Sequence, residues 1–168
     1  MLSRIWRRQL TDLTKGQIKA RLERSSVTLI DVRRFDEVDA GVIETPQGTK
    51  WIHIPLNELE EALELDNDDF AAQFECDQKP DKNDELIFYC MKGVRSASAA
   101  LYFEQNVSLK INFEKNIRFN LKKGYTNVSN YQGGWWEWNE HWTRDEWTAW
   151  SEKANFPLPD HLLNSLDN

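Results

Sequence analysis

The chain has 168 residues and a formal net charge of −7. That length suits one domain with one substantial core, and the acidic balance argues against nucleic acid or an acidic membrane as partner, since either calls for a basic surface. No apolar run reaches the span of a transmembrane helix, and two cysteines, Cys76 and Cys90, make no disulfide framework, so a reducing compartment is expected.

The first ten residues carry Arg4, Arg7 and Arg8 and no acid. This is the composition of a mitochondrial presequence in miniature, or of a solvated basic tail. No apolar segment follows the charges, so it is not a secretory signal. We expect a cytoplasmic protein, with a mitochondrial one as the alternative, and we place residues 1–13 as a tail. Thr14-Lys15-Gly16-Gln17 has capping-box spacing, and Ile18 with Leu22 gives a short helix one apolar face. Val27-Thr28-Leu29-Ile30 reads as a buried strand closed by Asp31. Arg34-Phe35-Asp36-Glu37-Val38 reads as one helical turn with Phe35 and Val38 inward.

Trp51 to Leu56 resumes as a short strand closed by Pro55. Asn57 is expected to cap a helix over 58–63, and Asp66 or Asn67 a second one with Phe70 and Phe74 on one face. A polar loop from Asp77 to Glu85 follows. Cys76, flanked by Glu75 and Asp77, reads as a bystander whose thiol is disfavoured from ionising, with a resolving role for Cys90 as the alternative.

Leu86-Ile87-Phe88-Tyr89 is an uninterrupted apolar run, as in a strand buried on both faces. It leads directly into Cys90-Met91-Lys92-Gly93-Val94-Arg95, and Ser96 to Glu104 then reads as a helix with hydroxyls to cap its first turn. A cysteine there sits at the carboxyl end of a strand, where open α/β sheets bind ligands. Backbone N–H groups, a helix N-terminus, Lys92 and Arg95 all favour the thiolate, the nucleophilic form. A packing cysteine at a strand end is the plain alternative, but it has no use for two cations and a glycine.

Asn106 to Phe119 interrupts the pattern with a run rich in Asn, Lys, Ile and Phe. It reads as translated intron or an alternative exon, or else as an unusual loop, and in each case as a protrusion. Thr126 to Asn130 is the last strand, and Gly133-Gly134 turns it into a helix bearing Trp135, Trp138 and Trp142 as a packing stripe. Trp147 and Trp150 continue the aromatic character in an extension over 143–168.

Three stretches together resemble the rhodanese (sulfurtransferase) family: Cys90 to Arg95, Leu29-Ile30-Asp31-Val32-Arg33, and Gly124-Tyr125-Thr126-Asn127-Val128 with Gly133-Gly134-Trp135. The resemblance covers residues 14–142. It implies a three-layer α/β fold with a central, mostly parallel five-stranded sheet and helices on both faces. The likeness is greatest to small single-domain members that move sulfur from thiosulfate to glutathione or other thiols. On that likeness Cys90 is the nucleophile, Met91, Lys92, Gly93, Val94 and Arg95 bind the donor, and Asp31 and Arg33 brace the sheet edge. Thiosulfate and a small thiol or thioredoxin-like acceptor are the expected partners, the protein is expected to be a monomer, and no cofactor or metal is called for. His53, His141 and His161 lack ligand spacing. One departure is Val42, where the family usually has histidine, in a loop with extra residues. The alternatives are a cysteine phosphatase, which the four residues between Cys90 and Arg95 disfavour because phosphatases of related fold resemble a five-residue ring, and a non-enzymatic binding or stress module, which the presence of Cys90 disfavours.

Overall fold

The computed structural model describes residues 10–24, 27–39, 41–105 and 124–139, with 148, 149 and 152 besides. Five strands, β1 (Thr11–Leu13), β2 (Val27–Asp31), β3 (Lys50–His53), β4 (Glu85–Tyr89) and β5 (Asn127–Tyr131), form one sheet in the order β1-β5-β4-β2-β3. Every pairing is parallel. Parallel strands need crossovers long enough to hold a helix, and the chain supplies α1 (Lys15–Leu22), α2 (Phe35–Val38), α3 (Leu59–Glu64), α4 (Asn67–Gln73), α5 (Val94–Gln105) and α6 (Gly134–Trp138). Among the described residues no helix is long and apolar enough to cross a membrane.

The side chains of β4 alternate between two cores, as the two-residue period of a strand requires. Leu86, Phe88 and Cys90 join Ala99, Ala100 and Phe103 of α5 on one face. Ile87, Tyr89 and Met91 join Ile18 and Leu22 of α1 and Trp135 of α6 on the other. After Glu85 the central strand is apolar because both its faces are covered, and Cys90 faces the α5 side.

Local chemistry explains the element ends. Thr14 and Gln17 form the capping box of α1, and Asp66 caps α4 by accepting from the Asp69 N–H at 3.0 Å. Phe70 and Phe74 pack with ring centres 4.8 Å apart.

Several expectations need correction. Residues Thr11–Leu13, taken as tail, pair with β5 as an edge strand. Asn57 caps nothing: it lies within a 3-10 turn, Leu56–Glu58, and α3 starts after it without a side-chain cap. In α2 Val38 is half-buried, but Phe35 does not point inward. Phe35 is 64% exposed, whereas Glu37 is fully buried because it has cationic partners inside. The stretch 106–119, Trp142, Trp147, Trp150, His141 and His161 lie outside the described residues.

Candidate functional site

The carboxyl ends of β2 and β4 lie side by side, with Asp31 opposite Tyr89. Cys90 follows Tyr89 and is 1% exposed. The 90–95 loop then turns over the end of β5. Gly93 has φ +77, and a Cβ there would stand 2.1 Å from the Gln132 carbonyl oxygen. Gly134 has φ +62, and a Cβ there would stand 2.5 Å from the Cys90 carbonyl oxygen. Two backbones thus meet at distances only glycine allows. The Trp135 N–H donates to the Cys90 carbonyl at 2.8 Å and the Trp136 N–H to the Met91 carbonyl at 3.1 Å, which pins the loop to the start of α6.

A second brace comes from β2. Arg33 is wholly buried, and its Nε and Nη2 both donate to the Asp31 carboxylate, the latter at 2.7 Å. Its other donors reach the Glu37 and Gly41 carbonyls at 3.0 and 2.8 Å. The guanidinium lies between two rings, 5.5 Å from the centre of Tyr89 and 4.8 Å from that of Trp135. Burial disfavours its charge, but hydrogen bonds and attraction from Asp31 outweigh burial and raise its pKa. The same burial, reinforced by Asp31, pushes the Tyr89 phenol well above its usual range.

Glu37 carries the brace onward. Its carboxylate accepts both terminal nitrogens of Arg95 at 2.6 and 2.7 Å, and the Arg34 N–H at 2.9 Å. Burial works against the Glu37 charge, yet the Arg95 hydrogen bond leads the contacts that hold its carboxyl below the ordinary value. Arg95 is thereby oriented by Glu37, whose hydrogen bonds raise the guanidinium pKa against partial burial.

Lys92 is held differently: its ammonium stands 4.5 Å from the centre of the Trp136 ring, and partial burial lowers its pKa. Beneath the loop, Ser96 places its Oγ 3.4 Å from Cys90 Sγ. The expectation that hydroxyls cap α5 fails here, because the Ser96 hydroxyl is turned to Asn130 and Cys90.

Cys76 is a half-exposed free thiol pushed up mainly by burial, and then by Asp77. His53 is bonded to the Arg33 carbonyl at 2.8 Å. Among the described residues no cluster of His, Cys, Asp and Glu could hold a metal ion. The predicted residues Asp31, Arg33, Cys90, Lys92 and Arg95 do converge on one sheet edge. Glu37, Trp136, Ser96 and Asn130 join them unannounced, and for the first of these a turn read with Phe35 and Val38 inward carries no local signal.

The family model described as "Rhodanese-like domain" matches residues 14–141. The chain belongs to the rhodanese-like family. Over 126 residues it is 33% identical to a mouse (Mus musculus) protein named thiosulfate sulfurtransferase/rhodanese-like domain-containing protein 3, covering 75% of this chain and 66% of that one, slightly under two thirds. It is 27% identical over 124 residues to the Homo sapiens thiosulfate:glutathione sulfurtransferase, covering 74% of this chain and 89% of that one. The human single-domain sulfurtransferase TSTD1 superposes with a TM-score of 0.62 at 27% identity, covering 80% of this chain and all of that one. The rhodanese-like three-layer α/β fold is thus shared, and the relatives are sulfurtransferases by name.

Proposed function

We propose that this rhodanese-like protein transfers sulfane sulfur from thiosulfate to a thiol through a persulfide on Cys90. The observation that carries the reading is the seat of Cys90. Its sulfur ends a central strand, with Ser96 at 3.4 Å, and the loop that leaves it carries Lys92 two residues on and Arg95 five residues on. In the first half-reaction the Cys90 thiolate attacks the outer sulfur of thiosulfate. An S–S bond forms at Cys90, the S–S bond of thiosulfate breaks, and sulfite leaves with the electron pair. In the second, an acceptor thiolate attacks the outer persulfide sulfur and regenerates the Cys90 thiolate. Cyanide can serve as acceptor in the same way.

The loop residues divide the work. Lys92, exposed at the loop's outer side, meets the dianionic donor, and the backbone N–H groups from Met91 through Gly93 and Val94 to Arg95 stabilise the persulfide anion. Arg95, anchored on Glu37, gives the loop its shape and adds a fixed positive field. Asp31 and Arg33 support the loop from β2. The name of the human relative, thiosulfate:glutathione sulfurtransferase, favours glutathione as the acceptor to try first.

Intact mass before and after thiosulfate tests the reading. A peptide containing Cys90 should gain one sulfur atom with release of one sulfite, and glutathione or cyanide should remove it. Cys90→Ser should never acquire the mass, whereas Cys76→Ser should behave like the parent. Thiosulfate turnover in Cys90→Ser, or steady aryl phosphate hydrolysis by the parent, would overturn the proposal.

A further inference from the structure

A line of hydrogen bonds runs from the sheet edge to Cys90. Asp12 on β1 accepts from the Asn130 Nδ2 of β5 at 2.8 Å. Asn130 Oδ1 lies 2.7 Å from Ser96 Oγ, which lies 3.4 Å from Cys90 Sγ. Ser96 and Cys90 are buried, as is Asn130 at 2% exposure, so solvent does not supply alternative partners.

The polarity of this line is fixed from its far end. An ionised carboxylate can only accept, so Asp12 holds the NH₂ group of Asn130 and turns the amide oxygen to Ser96. An amide oxygen can only accept too, so the single hydroxyl hydrogen of Ser96 is directed at Asn130. What Ser96 then offers Cys90 is a lone pair. A lone pair suits an S–H donor and not a thiolate. Resting on the reading of Cys90 as the nucleophile, we infer that Asp12, Asn130 and Ser96 form a polarised chain that makes Ser96 an acceptor for the resting Cys90 thiol, and that ionisation requires the Ser96 hydroxyl to swing from Asn130 to the sulfur.

Ser96 touches the reacting atom, whereas Asn130 and Asp12 are positioning residues. When Cys90 ionises, its proton passes to a solvent base and the Ser96 hydroxyl turns to donate to the sulfur anion. The Asn130 oxygen loses its partner in that step, so the chain opposes ionisation while Lys92 and Arg95 favour it. The other charged groups on elements packed around Cys90 include Glu85 on β4, Glu104 on α5, the Asp31–Arg33 pair, Glu37 on α2 and Glu137 on α6. None of them lies in this line. A thiol held protonated resists oxidation, which proceeds through the thiolate.

The test is the pH profile of Cys90 alkylation by iodoacetamide, followed by the mass of the Cys90 peptide so that Cys76 is counted separately. Asn130→Ala removes the competing acceptor without changing charge. The alkylation midpoint should fall by about one pH unit, a roughly tenfold rise in rate on the acid side. Ser96→Ala should lower the midpoint in the parent but raise it in the Asn130→Ala background, where the hydroxyl donates to the thiolate. Ser96→Thr should restore the parent profile. Should Asn130→Ala fail to fold, Asp12→Asn, a change at an exposed position, releases the amide instead. Its downward shift should persist in high salt, which screens the lost surface charge. A rise of equal size on Ser96→Ala in both backgrounds would show Ser96 to be a plain donor and overturn the proposal, as would profiles unmoved by Asn130→Ala and Asp12→Asn. Thiosulfate labelling of the same samples separates the two readings. Shifted profiles without sulfur uptake sink the transfer reaction alone, and sulfur uptake with unmoved profiles sinks the chain alone.

Discussion

Arg33 and Arg34 are neighbours, and each pairs with an aspartate two residues away, at 2.7 Å to Asp31 and 2.8 Å to Asp36. Geometry hardly separates the two pairs, but burial does. The side chains of the first are 0% exposed, and those of the second are 53% and 44% exposed. The Arg95–Glu37 pair lies between, with Glu37 enclosed and Arg95 at 28%. Contact distance therefore says little about what an ion pair does. The medium decides, because a buried charge that loses its partner cannot recover its solvation from water.

The strongest way to break this ranking is Arg33→Met. It leaves the Asp31 carboxylate buried without its main partner and removes the cation from the Tyr89 and Trp135 rings. We expect a loss of about 3–5 kcal/mol, the usual cost of removing one member of a buried pair. For a chain of this size that lowers Tm by about 10 °C, measured by circular dichroism. A change in Tm of a degree or less would place Arg33 with the surface pairs.

Glu37→Gln should come next, at about 1–3 kcal/mol, because the Arg95 side of the pair can still reach water. It also has a signature in pH. The Glu37 carboxyl is held below its ordinary value of 4.5 in the folded chain. Its contribution to stability is therefore complete above that value and declines as pH falls from there through the lower folded value. Denaturant titrations between pH 3 and 5 should show the parent losing stability more steeply than Glu37→Gln. Parallel curves would mean that Arg95 does not hold Glu37 ionised. Sulfur transfer should also slow in the variant, since the 90–95 loop loses the tie to α2.

How much of this was readable beforehand depends on the distance in sequence over which each contact acts. The β4 strand, the place of Cys90 at its end and the helix after Gly93 are legible because an unbroken apolar run, a glycine and a helical stretch succeed one another locally, although α5 starts at Val94 and not at Ser96. β1 was missed because three residues, Thr11 to Leu13, carry no period, and only the pairing with β5 makes them a strand. Glu37 turns inward for a reason that the local sequence does not carry, because its partner Arg95 lies 58 residues on. Ser96 was taken for a cap because nothing nearby announces Asn130, 34 residues away. Local physics fixed the scaffold, and the polar contacts that tune the site are nonlocal.

Lys92 sharpens the comparison from another side, because its cation rests on the Trp136 ring. Lys92→Ala should leave stability within about 0.5 kcal/mol, as exposed positions do. If the ammonium meets the donor, the thiosulfate KM should rise about tenfold, with a smaller change in the dependence on glutathione. An unchanged donor KM would remove Lys92 from the donor site. It would leave Arg95 and the loop N–H groups as the whole of the positive field.

The smallest effect should come from Arg34→Ala. Arg34 bonds Asp36 through Nε at 2.9 Å and Nη2 at 2.8 Å, so by geometry alone it resembles a strong bidentate pair. That bond is the first cause that lowers the Asp36 carboxyl. Yet both side chains stand about half in water, where solvation replaces most of what the contact supplies and salt screens the rest. The Arg34 contribution to the site comes instead from its backbone N–H, which donates to Glu37 at 2.9 Å and survives truncation of the side chain. Arg34→Ala should therefore shift stability by no more than about 0.5 kcal/mol and leave sulfur transfer at the parental rate. A loss approaching that of Arg33→Met would mean that pairing geometry, and not burial, sets the order of the three ion pairs.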